Sequence, residues 1–194
     1  MPAQSQSVDD GLKAENAGSS ASGAAAAKPS IGSWFSRASM KRDEMAVDNE
    51  QIVRKAYQTA EDYDIPGWVA AFTEDGTFTD ESAGVAYRGP DRLGIPVEIY
   101  KKAFPDMHRK LFRFYVSGDD VVVVQLALQG THLGPLSLPE GIIPPTGRRM
   151  DAPCCDVFEL SGGKIKRFDC YPEVSIILKQ LGVLGDLQAV LQRA

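Results

Sequence analysis

Apolar residues recur along this chain with two different periods, one in each half of its folded part. In the first half they follow helical spacing, which predicts a helix with one buried face. That face is made by Ile52, Val53, Ala56, Tyr57 and Ala60. Asp48 can accept hydrogen bonds from the first free amides, and Gln51 follows three residues later, so the helix is predicted to start at Asp48.

Shorter elements are predicted next. The Ile65-Pro66-Gly67 sequence interrupts the first helix. The elements expected after it are a short helix at 68–72, strands at 73–79 and 84–87, and a third helix from about 88 to 104.

After Pro105 the pattern becomes typical of strands rich in Val, Phe, Leu and Tyr. The predicted strands are Met107–Val116, Val121–His132, Met150–Leu160 and Ile165–Tyr171, and two helices at 174–181 and 184–191 follow them. Helices first and an antiparallel sheet later indicate an α+β domain. The run Val121–Val124 is apolar at consecutive positions, which indicates that both sheet faces are covered. We therefore expect helices on one face and a second subunit on the other, forming a homodimer.

Residues 1–44 differ in kind from the rest. They are rich in small residues, with no periodic apolar face, and such a segment cannot bury enough surface to offset its ordering entropy. We predict a disordered tail over 1–44 and one α+β domain over 45–194.

Composition excludes several classes of protein. The net charge is -5 with 43% hydrophobic residues and no basic stripe, which disfavours nucleic acid as the partner. The sequence contains no apolar run of membrane-spanning length and no signal-peptide pattern, so a cytoplasmic protein without membrane contact is expected. Three cysteines, Cys154, Cys155 and Cys170, do not make a disulfide framework. Adjacent Cys154 and Cys155 would point to opposite faces of a strand, so no metal site is predicted.

A series of short motifs carries a family resemblance. In chain order they are Phe104-Pro105-Asp106, Gly130-Thr131-His132-Leu133-Gly134, the 143–149 segment, the hairpin of residues 156–165, Tyr171-Pro172-Glu173 and Gln180-Leu181-Gly182. This series resembles the SnoaL-like polyketide cyclase family, within the nuclear-transport-factor-2-like superfamily. The resemblance covers about 135 residues, from the first helix to Gly182, and leaves the tail outside.

The resemblance implies a curved antiparallel sheet wrapped by helices into a cone, with a ligand entering at the wide end. It also implies catalysis without metal or organic cofactor. In the aldol cyclases of the family, the position matching Asp156 carries a histidine and the position matching Cys170 carries the acidic residue. Both differ here, so the aldol mechanism is not carried over to this chain.

Asp156 is the first candidate for catalysis. It lies among Cys154, Cys155, Val157 and Phe158, a setting that would strip water from a carboxylate and raise its pKa, as a general base or acid requires. The alternative is a structural Asp held by a backbone amide or an arginine.

The hairpin register decides which residues share a face with Asp156. A three-residue loop at Ser161-Gly162-Gly163 would place Asp156 opposite Phe168, with Cys170 on the same face, and this is the favoured register. A turn made by the two glycines alone would place Asp156 opposite Asp169.

His132, at the end of a long strand, is the candidate proton partner of Asp156, and its near-neutral pKa suits that role. The alternative is a hydrogen bond that fixes the following loop. Pocket-lining candidates besides Cys170 and Phe168 are the aromatic residues Tyr57, Trp68, Phe72 and Tyr115. The proline-rich segment 133–146 fits either a lip over the pocket or a contact with a dimer partner.

The sequence thus predicts an enzyme without cofactor or metal that acts on a polyketide-like or terpenoid-like molecule by proton transfer. Ring closure, isomerisation and dehydration are the candidate reactions. The alternatives are a non-catalytic small-molecule binding or carrier module with the same fold, and an interaction protein that recruits partners through its tail and sheet face.

Overall fold

The computed structural model describes residues 40–41 and 49–185. The first helix, α1, covers residues 49–61. The remaining elements are α2 (Ile65–Ala70), β1 (Phe72–Asp80), β2 (Val85–Arg88), α3 (Pro90–Leu93), α4 (Ile95–Ala103), β3 (His108–Ser117), β4 (Val121–Thr131), β5 (Leu136–Leu138), β6 (Gly141–Ile143), β7 (Arg149–Ser161), β8 (Lys164–Pro172) and α5 (Val174–Leu181).

The main sheet has six strands in the order β2-β1-β8-β7-β4-β3. Neighbouring strands are antiparallel except β1 and β8, which are parallel. The hairpin β5–β6 forms a separate small sheet. A curved sheet with helices on one side confirms the predicted α+β architecture, and each of the four long predicted strands is present within two residues of its expected ends.

Local chemistry explains where the short elements begin. The Asp64 side chain accepts a hydrogen bond from the Gly67 amide at 3.0 Å, so α2 starts at Ile65 and Pro66 occupies its first turn. The prediction that Ile65-Pro66-Gly67 only breaks a helix was therefore wrong, because proline is well tolerated in a first turn. The strand that follows starts at Phe72, inside the predicted helix.

The core lies between α1, α2, α4 and the inner face of the sheet. The Trp68 side chain is 2% exposed and its indole N–H donates to the Leu93 carbonyl at 2.8 Å. Phe158 from β7 stacks on Phe168 from β8 with ring centroids 4.2 Å apart. Aromatic side chains thus fill much of the sheet side of the core.

The outer face of the sheet carries exposed aromatic side chains. Phe112 is 55% exposed, and Tyr115 and Tyr171 are each 46% exposed. In β4, Val122 and Val124 are fully buried, while Val123 between them is only partly buried. The apolar run in β4 therefore has one covered face and one partly open face within this chain.

Several expectations fall outside the described residues. They are the disorder of residues 1–44, apart from residues 40 and 41, the helix start at Asp48 and most of the last predicted helix, 184–191. Among the described helices, none is both long and apolar enough to cross a membrane.

Candidate active site

Asp156 lies in the middle of β7, on the face that points into the core. Its side chain is 2% exposed and pairs with Tyr57 of α1, whose hydroxyl donates to the Asp156 Oδ2 atom at 2.6 Å. Burial raises the pKa of Asp156, and the hydrogen bond from Tyr57 opposes part of that rise. Burial also raises the pKa of Tyr57 well above its ordinary value, so the phenol stays a neutral donor.

Two thiols lie on the other side of the same carboxyl group. The Cys154 thiol donates to the Asp156 Oδ1 atom at 3.2 Å, and its sulfur is 3.7 Å from that of Cys170. The hydrogen bond with Cys170 lowers the pKa of Cys154, but burial and the charge of Asp156 outweigh it and bring the value to about 11. The pKa of Cys170 is raised well above its usual value by the hydrogen bond with Cys154 and by burial. Both groups are therefore protonated thiols near neutral pH, and Asp156 accepts hydrogen bonds at both oxygens.

The register that creates this cluster differs from both sequence-based alternatives. Gly162 and Gly163, at φ 58° and 77°, form a two-residue turn that pairs Ser161 with Lys164. A register shift then follows, between Glu159 and Leu160.

The shift places Asp156 opposite Cys170, so the predicted pairing of Asp156 with Phe168 was wrong. The prediction that Asp156, Cys170 and Phe168 share one face of the sheet is unaffected by the shift. Asp156, Cys170 and Phe168 line the same cavity, and Arg167 pairs with Asp169 at 2.7 Å.

A small cavity adjoins the Asp156 carboxyl group. Its volume is about 30 Å³. The lining residues are Tyr57, Trp68, Phe78, Pro96, Val97, Tyr100, Met107, Arg109, Leu128, Asp156, Phe168 and Cys170. This space has room for one or two water molecules, which is far less than a polyketide-sized ligand needs.

A larger pocket of about 280 Å³ lies beside it, between the β2 edge of the main sheet, α4 and the β5–β6 hairpin. Pro96 and Tyr100 line both spaces and so separate the inner cavity from the outer pocket. The proline-rich segment predicted as a lip folds into the β5–β6 hairpin, and Leu136 and Leu138 line the outer pocket. Apolar walls with a few polar groups are typical of ligand sites.

His132 does not join Asp156. Val124 is the β4 residue opposite Asp156, and His132 lies eight residues further along, roughly 25 Å at the usual rise of a strand. The His132 Nδ1 atom contacts the hydroxyl of Thr146 at 3.1 Å and accepts from its amide at 3.3 Å. The role as proton partner therefore has no geometric support, and the alternative, a histidine that fixes the following loop, describes its contacts.

Two of the predicted pocket aromatics also lie elsewhere. Phe72 is buried against Trp68, at a centroid distance of 5.2 Å, and does not line the cavity. Tyr115 is on the outer face, because a register shift between Leu111 and Arg113 inverts the alternation of β3 and turns Phe114 inward instead. Tyr57, Trp68, Phe168 and Cys170 line the cavity as expected.

Sequence reasoning missed two polar residues of the cavity. Tyr100 comes from α4, and burial raises its pKa well above the ordinary value. Arg109 comes from the start of β3 and pairs with Glu61 at 3.3 Å. The alternation of inward-facing and outward-facing residues along β3 could have indicated that Arg109 points inward. For Tyr100, the sequence indicated only that the residue lies on a helix.

A curved, mostly antiparallel sheet packed against helices defines the nuclear-transport-factor-2-like fold class. In this chain, the buried acid Asp156 lies between the sheet and the helices. The model of the SnoaL-like domain family matches residues 53–168, and the chain belongs to that family. Among curated proteins, none matches the chain by sequence.

Solved structures share this fold at low sequence identity. A protein described as a SnoaL-like polyketide cyclase from Jannaschia sp. CCS1 is 21% identical with a TM-score of 0.63, and the match covers 72% of this chain and 94% of that one. A hypothetical protein from Catenulispora acidiphila with a ketosteroid isomerase-like fold, in complex with trimethylamine, is 18% identical with a TM-score of 0.57, and the match covers 68% of this chain and 92% of that one. An epoxide hydrolase of the LEH-like type from M. tuberculosis is 18% identical with a TM-score of 0.53, covering 70% and 90%.

Proposed function

We propose that this protein is an enzyme that needs no cofactor and moves protons on a small, mostly apolar molecule of polyketide-like or terpenoid-like character. The main support for this proposal is Asp156, a buried carboxyl group that lies beside a cavity and accepts a hydrogen bond from the neutral phenol of Tyr57. Burial raises the pKa of Asp156 toward the range in which a carboxyl group both takes and returns a proton. The family contains cyclases, and proteins of this fold include isomerases and epoxide hydrolases, so fold alone does not select the reaction.

The chemistry that fits this arrangement is proton transfer at a carbon next to a carbonyl group. The Asp156 carboxylate would take the proton from carbon, and the electron pair would move onto the carbonyl oxygen. Asp156 would then return the same proton at a second atom, which completes an isomerisation or prepares a ring closure or the loss of water. Tyr57, kept neutral by burial, holds the carboxyl group in position and donates to it throughout.

The substrate would occupy both spaces. Its body would lie in the outer pocket of about 280 Å³, under the β5–β6 hairpin. Its reactive end would displace the water from the inner cavity and pass between Pro96 and Tyr100, which line both spaces. Exclusion of water strengthens the electrostatic interactions at Asp156 during the reaction.

Small-molecule profiles measured by mass spectrometry test this proposal. Host cells that lack the gene would be complemented with the normal protein, with Asp156→Asn or with Asp169→Asn. Asp169 is a matched control, because it is also a buried acid but pairs with Arg167 at 2.7 Å and does not line the cavity. We expect a precursor to accumulate only with Asp156→Asn, and its isomer or dehydrated product to appear with the other two. Identical profiles for all three proteins would show that Asp156 is structural.

The inner cavity volume favours a second candidate function, non-catalytic binding of a small molecule. A space of about 30 Å³ admits no organic ligand without movement of Tyr100, whereas the outer pocket of about 280 Å³ is already formed. A carrier would need only the outer pocket. In this case ligand would co-purify equally with the normal protein and with Asp156→Asn.

We also propose that two chains associate through the outer face of the sheet, as the apolar run in β4 predicts. The exposed rings of Phe112, Tyr115 and Tyr171 support this, because single-chain proteins seldom expose such apolar clusters. Light scattering after size exclusion would give about twice the chain mass, and Phe112→Asp would reduce it to one chain. Ile142→Asp, at a residue 67% exposed on the β5–β6 hairpin, is the control and should leave the dimer intact.

A further inference from the structure

The two thiols beside Asp156 have no part in the proton transfer proposed above. Cys154 and Asp156 lie two residues apart on β7 and point to the same side, and Cys170 faces Asp156 from β8. One possible metal-ligand atom from each of the three residues lies within 4.8 Å of the other two. The cluster therefore brings two sulfur atoms and a carboxylate oxygen together on two rigid, paired strands.

We propose that Cys154, Asp156 and Cys170 bind one thiophilic divalent cation, with Zn²⁺ as the first candidate. In a tetrahedral zinc site the Zn–S bond is about 2.3 Å, so two sulfur ligands lie roughly 3.8 Å apart. The sulfur atoms of Cys154 and Cys170 are 3.7 Å apart. The Asp156 Oδ1 atom is 3.2 Å from the Cys154 sulfur, and one ligand atom from each of the three residues lies within 4.8 Å of the other two.

The fourth ligand would come from the inner cavity. Asp156 and Cys170 both line that space, whose volume of about 30 Å³ accommodates a water ligand. Three protein ligands and one water make an open site, whereas structural zinc sites use four protein ligands. Two thiolates select zinc or copper over magnesium and calcium, which prefer oxygen ligands.

The surrounding charges suit a bound cation. Two thiolates and one carboxylate carry three negative charges, which a divalent cation leaves only partly compensated. Arg109 lines the same cavity and its charge already lowers the pKa of Asp156 against the larger effect of burial. Bound Zn²⁺ and Arg109 together would balance the charges of the three ligands. The guanidinium group of Arg109 also forms an ion pair with Glu61, at 3.3 Å.

This inference goes beyond the proposed function and opposes it in one respect. A cation that occupies Asp156 withholds the carboxylate from the substrate, so metal binding and turnover would exclude each other. Metal binding is measured without substrate, and its outcome therefore does not depend on whether the protein is an enzyme.

The test uses the full chain, purified with a non-thiol reductant and freed of metal with a chelator. The protein is then loaded with Zn²⁺, desalted and analysed for bound zinc, and a second sample is loaded with Co²⁺ to record thiolate-to-cobalt charge-transfer absorption. We expect about one equivalent of either metal per chain and an absorption typical of tetrahedral coordination by sulfur. Absence of bound zinc, or cobalt absorption without a thiolate band, would overturn the proposal.

Single substitutions locate the site. Cys170→Ala and Cys154→Ala should each weaken binding at least about tenfold, and Asp156→Asn, which keeps the shape of the side chain, should also weaken it. Cys155→Ala is the matched control, because its thiol is the adjacent one on the other face of β7. Equal loss of zinc from Cys155→Ala and Cys170→Ala would refute the assignment. Circular dichroism of each variant separates a lost ligand from a lost fold, and Asp156→Asn serves as the test if an alanine variant does not fold.

Discussion

Replacing Tyr57 with phenylalanine isolates the contribution of one hydrogen bond. The change removes the hydroxyl that donates to Asp156 at 2.6 Å and keeps the ring, which packs edge-on against Phe158 with centroids 5.6 Å apart. Tyr57 is 3% exposed, so water would not replace the lost donor. We therefore expect destabilisation without a change of fold.

The magnitude depends on the protonation state of Asp156. A hydrogen bond to a neutral group contributes about 1 kcal/mol, and one to a charged group about 1.5–3 kcal/mol. The pKa of Asp156 is raised by burial, and the Tyr57 hydrogen bond holds it below the value that burial alone would give. Tyr57→Phe therefore raises this pKa further, and the loss of stability grows as the pH rises through the folded-state pKa of Asp156.

Urea unfolding of the normal protein and of Tyr57→Phe, over the pH range in which both proteins stay folded, measures this difference. We expect a loss of about 1 kcal/mol where Asp156 is protonated in the folded protein and about 2–3 kcal/mol where it is ionised, with a melting temperature lower by about 4 °C per kcal/mol. Tyr63→Phe is the control, because that side chain is 44% exposed, follows α1 and is not part of the proposed dimer face. A loss for Tyr57→Phe that stays constant with pH would refute the charge-dependent role of the Tyr57 hydroxyl.

Three further substitutions test other parts of the structure. Phe158→Ala should cost about 3–5 kcal/mol in urea unfolding, because the ring is fully buried, and a loss under about 1 kcal/mol would contradict the packing described. Asp106→Asn should destabilise the protein most above the ordinary carboxylate pKa and progressively less as the pH falls, because hydrogen bonds from Thr131 lower the pKa of Asp106. Equal melting curves of the two proteins at neutral pH would contradict this. Gly134→Ala should cost about 1–3 kcal/mol by calorimetry, because a Cβ atom there would overlap the Lys102 carbonyl, and an unchanged melting temperature would show that the loop yields freely.

Periodic patterns predicted the architecture because burial on one face is a property of each element alone. The long strands β4 and β7 alternate or run apolar for their full length, and Asp156 stands out as an acid within such a run. The position of the candidate acid could therefore be predicted before its partners were known.

Tyr57 and Cys170 were expected to line the same pocket as Asp156, but their direct contacts with it could not be predicted, because those depend on register and on helix docking. One extra residue in β8 changes the neighbour of Asp156 from Asp169 to Cys170, and one in β3 turns Tyr115 away from the core. Helical contacts such as that of Tyr57, which is 99 residues from Asp156 in sequence, depend on how α1 docks onto the finished sheet. The sequence had no local signal for either effect.

The order of the strands has a consequence for synthesis of the protein. Among the strands that the structure describes, β1 and β2 are made first, yet the one further strand that pairs with them is β8, which is made last. Until β8 leaves the ribosome, Phe78 of β1 lacks Phe168, against which it packs at 4.6 Å in the finished domain. The β1–β2 hairpin therefore has an unpaired edge until β8 is made. Folding thus depends on a contact between the two ends of the domain. A nascent chain that stalls before β8 would be prone to aggregate.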